Sequence, residues 1–577
     1  MKIYEEVLSE RLFNACRNDV VEKTKKSCWR SNHFFWEEKI MINVDGVCTV
    51  TPLDDKQLLE DLAIELGPIF KDHVCNELIF QYYIWHSYSA ISSHSDGKYK
   101  FGATLYLNTP SSTSDGGLFV WKDDELRENG LGPGELLTVA QDIIDEGVDV
   151  ISALGGAIDS DSRLTRMIPI MGMASAPHLE LIGEMKQKLN VPVMHAGKIA
   201  DVATARYAIE AGLLDLVGMT RALIADPYLP TKIANKTEDQ IRPCVGASMC
   251  IDGIYTAGAA FCIHNPSTGR ELELPQTIDV AKAKRSVAVV GGGPAGLEAA
   301  RTLAEKGHTV TLFEANDSLG GQINIAIRSP RRRDLQGITD WRTQELKRLG
   351  VTVKLNSYVD ASDLSDAGFD AIVVATGGMP KALEIPGGNH VLESWDVLSG
   401  AKRITGDVLI YDDHGGTQAL DLAENLAQSG ANVELVTPER NMSVDVGGMV
   451  ASAYFKSLAT LGVKFTILRE LKRIEKNSDG TFTAYLGMED EAWEESRIVN
   501  GIVAETGTTA ISDVYDELVS LSSNGGEVEI EALIHGGPQT SIRNPDGKFQ
   551  VFRIGDAISS RGIHSAILDA ARVCRGI

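Results

Sequence analysis

A glycine-rich turn in the second half of the chain carries the clearest chemical signal. Gly291, Gly293 and Gly296 follow the apolar run SVAVV directly, and Pro294 and Ala295 stand where a helix should open. Such glycines permit a tight turn, a close backbone approach to a pyrophosphate and close packing of helix on strand, and the helix start attracts phosphate charge. The pattern predicts a dinucleotide-binding unit.

Residues further along the chain extend this prediction. Glu314 ends the next predicted strand, at about the spacing where an acidic residue contacts a ribose hydroxyl. Two later motifs, ATGG and GD, add the candidate contacts Thr376, Gly377, Gly555 and Asp556. The Gly-Asp pair resembles the one that FAD-binding folds place against the ribityl and pyrophosphate groups. These residues favour FAD or ADP over free NAD.

A second strand-to-helix opening, YDDHGGTQALDLAE, lacks the glycine pattern. Asp412 and Asp413 stand where the phosphates of a nicotinamide cofactor would need hydrogen-bond donors and no negative charge. We therefore predict a degenerate nucleotide-binding-like domain here that does not bind NAD(P)H.

Three cysteines crowd into the segment RPCVGASMCIDGIYTAGAAFCIHNP, namely Cys244, Cys250 and Cys262. Cysteine thiolates are the ligands that iron–sulfur clusters require. A full cluster usually takes four, and Ala247 stands where a C-x-x-C partner would fall. The alternatives are a 4Fe-4S cluster, a three-cysteine variant with atypical ligation, and three buried free thiols.

Two further loops could hold a phosphate. Gly197 and Lys198 follow one apolar strand, and Gly218, Thr220 and Arg221 follow the next. Glycine and cation loops after the last two strands of a (β/α) barrel form such a site, which would suit the phosphate of FMN. The alternative is a pair of ordinary loops with a solvated arginine.

His94 and Asp96 form a third candidate site, near the N-terminus. Their spacing places both on one face of a strand, where they could supply two ligands of a facial Fe(II) triad. The next histidine is His178, which already lies in a different part of the chain. A solvated His/Asp pair is the alternative.

The elements that must position these residues lie in regions with different sequence patterns. Aromatic and β-forming residues up to about 125 predict a helix and antiparallel strands, and apolar runs alternating with helical periods then predict parallel βα units. The fold class is α/β: a partial (β/α) barrel followed by Rossmann-like domains, after an N-terminal α+β, double-stranded-helix-like fragment. Four barrel strands are predicted, in VDVISAL, IPIMGMA, VPVMHA and LDLVGM. The predicted domains are 1–127, 128–240, the cysteine segment and linker 241–284, the FAD/ADP-binding domain 285–400 with 500–577, and the degenerate domain 401–499.

Composition excludes several classes of function. The chain has 577 residues with Lys+Arg 55 against Asp+Glu 80, a formal charge of -25. Such a surface repels nucleic acid and anionic lipid, so we expect neither as a partner. No apolar run is long enough to span a membrane and the acidic start has no secretory pattern, so we expect a soluble, cytoplasmic protein.

Residues from about 129 to 577 resemble the flavin and iron–sulfur family that includes trimethylamine dehydrogenase and 2,4-dienoyl-CoA reductase. The resemblance lies in MGMASAPHLE, HAGKIADVATARYAI, DLVGMTRALIADP, CIHNPSTGREL and VVGGGPAGLEAA, and in LGGQ, which adds Gly321 and Gln322 to the cofactor contacts. It implies FMN, an iron–sulfur centre and FAD or ADP. The missing second glycine pattern resembles the demethylase branch, which implies N-demethylation of a small methylated amine with electrons passed to an electron-transferring flavoprotein.

The segment 1–127 resembles the front half of a 2-oxoglutarate/Fe(II) oxygenase of the prolyl hydroxylase type (HSD, TLYLN, GGLFVW). The barrel segment lacks the half that normally carries the catalytic side chains, so no catalytic residue is assigned. Pairing of two copies in a homo-oligomer is one way to cover the open strand edges. The rival functions are an NADPH-dependent enoate or dienoyl-CoA reductase, a 2-oxoglutarate/Fe(II) hydroxylase, and an inactive fusion that retains only nucleotide binding.

Overall fold

The computed structural model describes residues 2–4, 48–52, 57, 81–85, 101–105, 118–122, 133–155 and 160–577. The chain divides into two units, Met1–Val148 and Asp149–Ile577. Among the described residues, no helix is both long and apolar enough to cross a membrane.

The described residues of the first unit include short strands and a helix. These are β1 (Lys2–Tyr4), β2 (Cys48–Pro52), β3 (Gln81–Trp85), β4 (Phe101–Leu105), β5 (Leu118–Lys122) and α1 (Pro133–Asp145). Strands pair in the orders β1-β5-β4 and β2-β3, all antiparallel. This agrees with the antiparallel strands predicted for this part of the chain.

The second unit begins with a three-stranded parallel sheet, in the order β6-β7-β8. Its strands are β6 (Ile151–Ser152), β7 (Val193–His195) and β8 (Leu216–Val217). The helices of this part are α2 (Asp161–Met167), α3 (Leu179–Lys186), α4 (Val202–Glu210), α5 (Thr220–Ala225), α6 (Leu229–Ala234) and α7 (Met249–Ala257).

The strand predicted in IPIMGMA is wrong, because residues 168–174 form turns. Their backbone groups bond to other partners: the N–H of Met171 donates to the carbonyl of Gly246, and the Lys198 ammonium donates to the carbonyls of Ile170 and Met173. Ile170 is buried in the apolar cluster of the second parallel sheet, where Ile168 and Met173 are half-buried, and Met171 is buried in another cluster. The parallel βα texture is confirmed, whereas closure into a barrel stays a prediction.

The glycine-rich turn lies in a five-stranded parallel sheet of order β11-β10-β9-β12-β23. The strands are β9 (Ser286–Val290), β10 (Thr309–Phe313), β11 (Thr352–Lys354), β12 (Ala371–Val374) and, from the far end of the chain, β23 (Gln550–Arg553). Successive residues of β9 face opposite sides: Val287 and Val289 pack in one apolar cluster, Ala288 and Val290 in another. Burial on both faces explains the uninterrupted apolar run.

Helices cover both faces of this sheet. They are α8 (Pro294–Glu305), α10 (Gln336–Arg348), α11 (Ala361–Ser365), α15 (Asp513–Val519), α16 (Ile530–His535) and α17 (Ile563–Gly576). A further short helix, α9 (Ile323–Ala326), packs through Ile323 against Leu335 and Ile338. Leu297 and Leu303 of α8 pack in one apolar cluster with Ala566 and Ala570 of α17, which fixes α17 beside the glycine-rich turn.

A second parallel sheet has the order β14-β21-β15-β16-β17. It contains β14 (Leu392–Glu393), β15 (Asp407–Asp412), β16 (Asn432–Val436), β17 (Lys464–Thr466) and β21 (Gly501–Glu505), with helices α12 (Ser394–Leu398), α13 (Thr417–Gln428) and α14 (Gly448–Thr460). The remaining strands are antiparallel: β18 (Glu470–Lys476), β19 (Phe482–Gly487) and β20 (Glu494–Val499) in one sheet, β13 (Gly378–Pro380) and β22 (Thr508–Ala510) in another. The predicted α/β class with parallel sheets is confirmed.

Candidate functional site

The glycine-rich turn has the geometry that a pyrophosphate needs. Gly291 has φ +104°, and a Cβ there would lie 2.3 Å from the carbonyl oxygen of Ala375. A Cβ on Gly296 would lie 1.9 Å from the carbonyl oxygen of Gly291, so helix and strand pack too closely for a side chain. A Cβ on Gly293 would meet nothing within 4 Å. The turn therefore passes open space at Gly293, where a ligand can approach the backbone.

Helix α8 begins at this turn without a side-chain cap. Gly293 is the N-cap residue and Pro294 the first helical residue. The first N–H groups of a helix have no partner within it, and the helix dipole adds partial positive charge at that end. The start of α8 therefore offers free donors to an anion.

Glu314 anchors the loop as well as facing the ligand space. Its Oε2 accepts a 2.6 Å hydrogen bond from the N–H of Gly292, and its Oε1 accepts 2.8 Å bonds from the N–H and the side-chain amide of Asn316. Each carboxylate oxygen has two lone pairs, so Oε2 retains one for a ribose hydroxyl.

A cavity of about 1160 Å³ joins these residues to the second sheet's domain. Pockets for small ligands usually measure about 300–1,000 Å³, so a dinucleotide has room. The predicted residues that line it are Gly291, Gly293, Pro294, Ala295, Glu314, Gly321, Gln322, Thr376, Gly377 and Asp556. Gly296 and Gly555 lie behind the wall, where they allow the close packing. The predicted adenine-nucleotide residues thus converge on one cavity.

Polar contacts organise the far wall of this cavity. The Gln322 amide donates a 3.1 Å hydrogen bond to Asp556 Oδ2, which joins two of the predicted motifs. Burial raises the pKa of Asp556. The Thr376 hydroxyl is already committed to the carbonyl of Ile511, at 2.6 Å. Thr376 is therefore a structural residue of the wall, while Gln322 and Asp556 present polar groups to a ligand.

Sequence reasoning missed the residues that the second domain contributes to this wall. His414, Gln418 and Asp421 line the cavity from α13 and the loop before it, and Arg332 lines it from the turn after α9. Only contacts distant in sequence bring these residues to the wall. The run RRR at 331–333 was the one available signal, because consecutive cations beside a predicted anion site are unusual.

At the second strand-to-helix opening, a carboxylate accepts hydrogen bonds from the backbone of the same turn. Asp412 is fully buried, and its Oδ1 accepts hydrogen bonds from the N–H groups of His414 (3.1 Å) and Gly415 (3.0 Å). Burial raises the pKa of Asp412 to about 6, and burial also raises that of Asp413. Two backbone N–H groups of this turn are therefore occupied by Asp412, which also places a carboxylate beside the start of α13.

The predicted FMN-phosphate residues surround a much smaller cavity, of about 20 Å³. Lys198, Gly218, Thr220 and Arg221 line it, together with Cys244 and Gly246. That volume holds about one water-sized group, so it suits a phosphate oxygen rather than a whole phosphate. Gly197 is outside it, and its N–H contacts His195 Nε2 at 3.2 Å.

Lys198 and Arg221 differ in whether their donor groups already have hydrogen-bond partners. The Lys198 ammonium donates to the Ile170 carbonyl at 3.0 Å and to that of Met173, and lies 3.5 Å from Asp334; burial lowers its pKa. Arg221 Nη1 is buried and has no hydrogen-bond partner among the residues that the structure describes. An orphaned cationic donor beside a cavity fits an anionic ligand, so Arg221 is the residue of this set that fits a phosphate.

The three cysteines lie in one neighbourhood as free thiols. Burial, and then the nearby Cys244, raise the pKa of Cys250 to about 11; burial also raises the pKa of Cys262, with a contribution from Cys244. Among the residues that the structure describes, no three His, Cys, Asp or Glu side chains group closely enough to hold a metal ion. The thiols fit iron–sulfur chemistry in donor type, but Ala247 leaves them one ligand short of a four-cysteine cluster.

Comparison with known proteins places the chain in a family. Residues 285–567 match the profile of the Pyridine nucleotide-disulphide oxidoreductase family. The chain is 44% identical over 456 residues to the probable N-methylproline demethylase of Rhizobium meliloti (strain 1021), which covers 79% of the chain and 67% of that protein. It is 39% identical over 467 residues to the N,N-dimethylglycine/sarcosine dehydrogenase of Chromohalobacter salexigens, and this match covers 78% of the chain and 67% of that dehydrogenase. The chain belongs to this demethylase and dehydrogenase family.

Family membership confirms the predicted enzyme class, an oxidoreductase of the flavin-dependent type. The solved structure of 6-hydroxypseudooxynicotine amine oxidase from Pseudomonas geniculata N1 is 25% identical, with a TM-score of 0.65. That similarity covers 75% of the chain and 62% of the amine oxidase, so the chain spans less than two thirds of the solved structure.

The N-terminal prediction gains no support from these similarities. The three relatives described above are a demethylase, a dehydrogenase and an amine oxidase, and none of these three is named as a 2-oxoglutarate oxygenase. His94 and Asp96 lie outside the described residues. The Fe(II) site therefore stays a prediction from the sequence.

Proposed function

We propose that the chain is a flavin-dependent oxidoreductase of the trimethylamine dehydrogenase type that removes a methyl group oxidatively from a small N-methylated amine or amino acid. The observation that carries this proposal is the 44% identity over 456 residues to a protein named as a probable N-methylproline demethylase. A relative named for dimethylglycine and sarcosine supports the same substrate class.

The large cavity is the proposed site of FAD or ADP. The free donors at the start of α8, the open space at Gly293 and the unused lone pair of Glu314 support this assignment. Gln322 and Asp556 would contact the part of the ligand beyond the pyrophosphate. These residues bind and orient the nucleotide; they supply no chemistry to the substrate.

The small cavity is the proposed site of one oxygen of the FMN phosphate, with Arg221 as its main donor. When bound, FMN would accept the hydride of an N-methyl C–H bond, and the substrate iminium would then hydrolyse to formaldehyde and the demethylated amine. Arg221 would fix the phosphate end, and Lys198 would hold the loop at residues 170–173 in place. We assign no catalytic residue to the described part of the chain.

Electrons would leave through the cysteine segment to an electron-transferring flavoprotein. Three thiols in one neighbourhood support an iron–sulfur centre of the three-cysteine kind. The second opening, which is closed on Asp412, argues against NADPH as the electron donor and so against the enoate reductase alternative.

This function is tested by a cofactor inventory, followed by a measurement of flavin reduction by candidate substrates. The full-length protein is purified anaerobically, and its FMN, FAD, ADP, iron and acid-labile sulfide are measured. N-methylproline and dimethylglycine are then added; we expect bleaching of the flavin absorbance and release of formaldehyde. Proline and glycine serve as matched controls and should cause no bleaching.

Two results would overturn the proposal. Bleaching by NADPH but by no methylated amine would favour the enoate reductase. Adenine nucleotide without FMN, and no bleaching by any substrate, would favour an inactive chain that retains only nucleotide binding.

A further inference from the structure

The tripeptide Cys262–Ile263–His264 lies between the two candidate cofactor cavities. Ile263 lines the large nucleotide cavity, and it packs in an apolar cluster with Ile323 of the cavity wall and Val245 of the cysteine segment. Cys244 and Gly246 line the small phosphate cavity, and no residue of 243–250 lines the large one. A signal from one cavity to the other has a short route through this tripeptide.

His264 makes the polar part of that route. It is fully buried, and its Nδ1–H donates a 3.0 Å hydrogen bond to the carbonyl of Pro243, the residue before Cys244. Its own N–H donates to Cys262 Sγ at 3.4 Å. His264 therefore joins the Cys262 loop, which reaches the large cavity, to the Cys244 loop, which walls the small one.

Buried partners hold the tripeptide against the nucleotide-binding domain. Arg342 donates from Nη2 to the carbonyl of His264 at 3.1 Å and from Nε to Glu298 of α8 at 2.9 Å. On the other side His564, in the first turn of α17, donates from Nδ1 to the carbonyl of Cys262 at 2.9 Å. Cys262 is thus fixed to α17, whose first turn lines the large cavity, and His264 is fixed through Arg342 of α10 to α8, whose first turn also lines it.

We propose that His264 is a positioning residue that couples the two cavities, so that a nucleotide in the large cavity orders the loop 243–246 at the small one. This inference rests on the proposed nucleotide site. A ligand packed against Ile263 restricts the tripeptide, and the His264 to Pro243 bond transmits that restriction to Cys244. Coupling between sites is reciprocal, so a filled small cavity also strengthens nucleotide binding.

Hydrogen–deuterium exchange of the full-length protein, with and without saturating FAD and separately ADP, tests the coupling. We expect the peptide 243–250 to exchange about fivefold more slowly with nucleotide, a factor at the low end of allosteric couplings. The peptide 291–296 reports binding itself, and 482–487 of β19, which lines neither cavity, reports general stabilisation.

Two pairs of variants separate positioning from general stability. In His264→Ala, nucleotide should still slow exchange in the peptide 291–296 but no longer in 243–250. In His264→Asn, the slowing in 243–250 should return, because the Asn amide can donate a hydrogen bond where Nδ1 does. Ile263→Ala should lose the coupling too. Ile325→Ala removes an isoleucine from another part of the cavity wall and should keep it.

The outcomes discriminate between the two proposals. Protection of 291–296 without slowing of 243–250 in the unmodified protein would overturn the coupling alone, as would equal slowing in His264→Ala or Ile263→Ala. No protection of 291–296 by either nucleotide would mean that the nucleotide site itself is wrong.

Discussion

Gly292 and Glu314 are joined by a 2.6 Å hydrogen bond from the glycine N–H to Oε2 of the carboxylate. The bond ties the glycine-rich turn after β9 to the end of β10, the neighbouring strand in the sheet. The acidic residue therefore fixes the shape of the phosphate loop before any ligand arrives, in addition to the ribose contact that its position predicts.

Glu314→Gln should weaken nucleotide binding by about tenfold or more, because hydrogen bonds to a charged group contribute about 1.5–3 kcal/mol. In the Gln side chain, a single carbonyl oxygen would have to serve the three observed donors of Gly292 and Asn316 and the predicted ribose hydroxyl. Calorimetric titration of nucleotide-free protein with ADP measures the loss. Glu489→Gln, at an exposed carboxylate beyond β19, is the matched control. An unchanged ADP affinity in Glu314→Gln would refute the ribose contact.

Gly293→Val should abolish nucleotide binding while leaving the protein folded. The added side chain points into open space in the absence of ligand and fills the path of the pyrophosphate. We expect nucleotide content near zero with a thermal midpoint close to that of the unmodified protein. Retention of bound nucleotide in this variant would contradict the assignment.

Gly296→Ala should give the opposite pattern. Its Cβ would lie 1.9 Å from a backbone oxygen of Gly291, so α8 must move away from the turn. Such overpacking costs about 1–3 kcal/mol, and thermal unfolding should show a lower midpoint. A variant with an unchanged midpoint would mean that the helix shifts freely.

Local patterns in the sequence identified most of the residues that line the proposed nucleotide cavity. The requirements at Gly291, Gly293 and Gly296 are backbone requirements within one short segment, so the residue types reveal them directly. Glu314 lies at a characteristic spacing along the chain from the glycine-rich turn, so its role can be predicted without knowledge of the fold. The same logic predicts that Asp412 disfavours a phosphate at the second opening.

Long-range packing produced what the sequence did not reveal. Arg332 and Gln418 reach the cavity only because two separate domains meet there. The apolar run at residues 168–174 resembles a buried strand, yet its backbone bonds to a lysine side chain and a distant loop. Periodicity reports burial and cannot report which partner satisfies the backbone.

Arg221 and Lys198 should respond differently to substitution. Arg221→Met removes a buried donor that has no partner, so FMN affinity should fall about tenfold or more, while Arg221→Lys should retain part of it. Lys198→Met removes bonds to the carbonyls of residues 170 and 173, so its main effect should be a lower thermal midpoint. Equilibrium dialysis with FMN and thermal unfolding measure both. Equal FMN affinities in Arg221→Met and the unmodified protein would place the phosphate elsewhere.

Asp412 should make the stability of the protein fall as pH rises. Burial raises its pKa from 3.8 to about 6 in the folded protein, so between those values the folded state holds more protons than the unfolded state. The stabilising, protonated form is fully present below about pH 4 and is lost as pH rises through 6. Each pKa unit corresponds to about 1.4 kcal/mol, so the penalty above pH 7 is about 2–3 kcal/mol.

Asp412→Asn isolates this effect, because the amide keeps an oxygen for the N–H groups of His414 and Gly415 and cannot ionise. Urea unfolding at pH 4.5, 6 and 8 should show that the variant gains stability relative to the unmodified protein as pH increases. Asp479→Asn, at an exposed turn carboxylate whose pKa is lowered by hydrogen bonds to Thr481, should show no such gain. Parallel pH profiles for Asp412→Asn and the unmodified protein would show that the pKa of Asp412 is not raised in the folded protein, which would contradict this prediction.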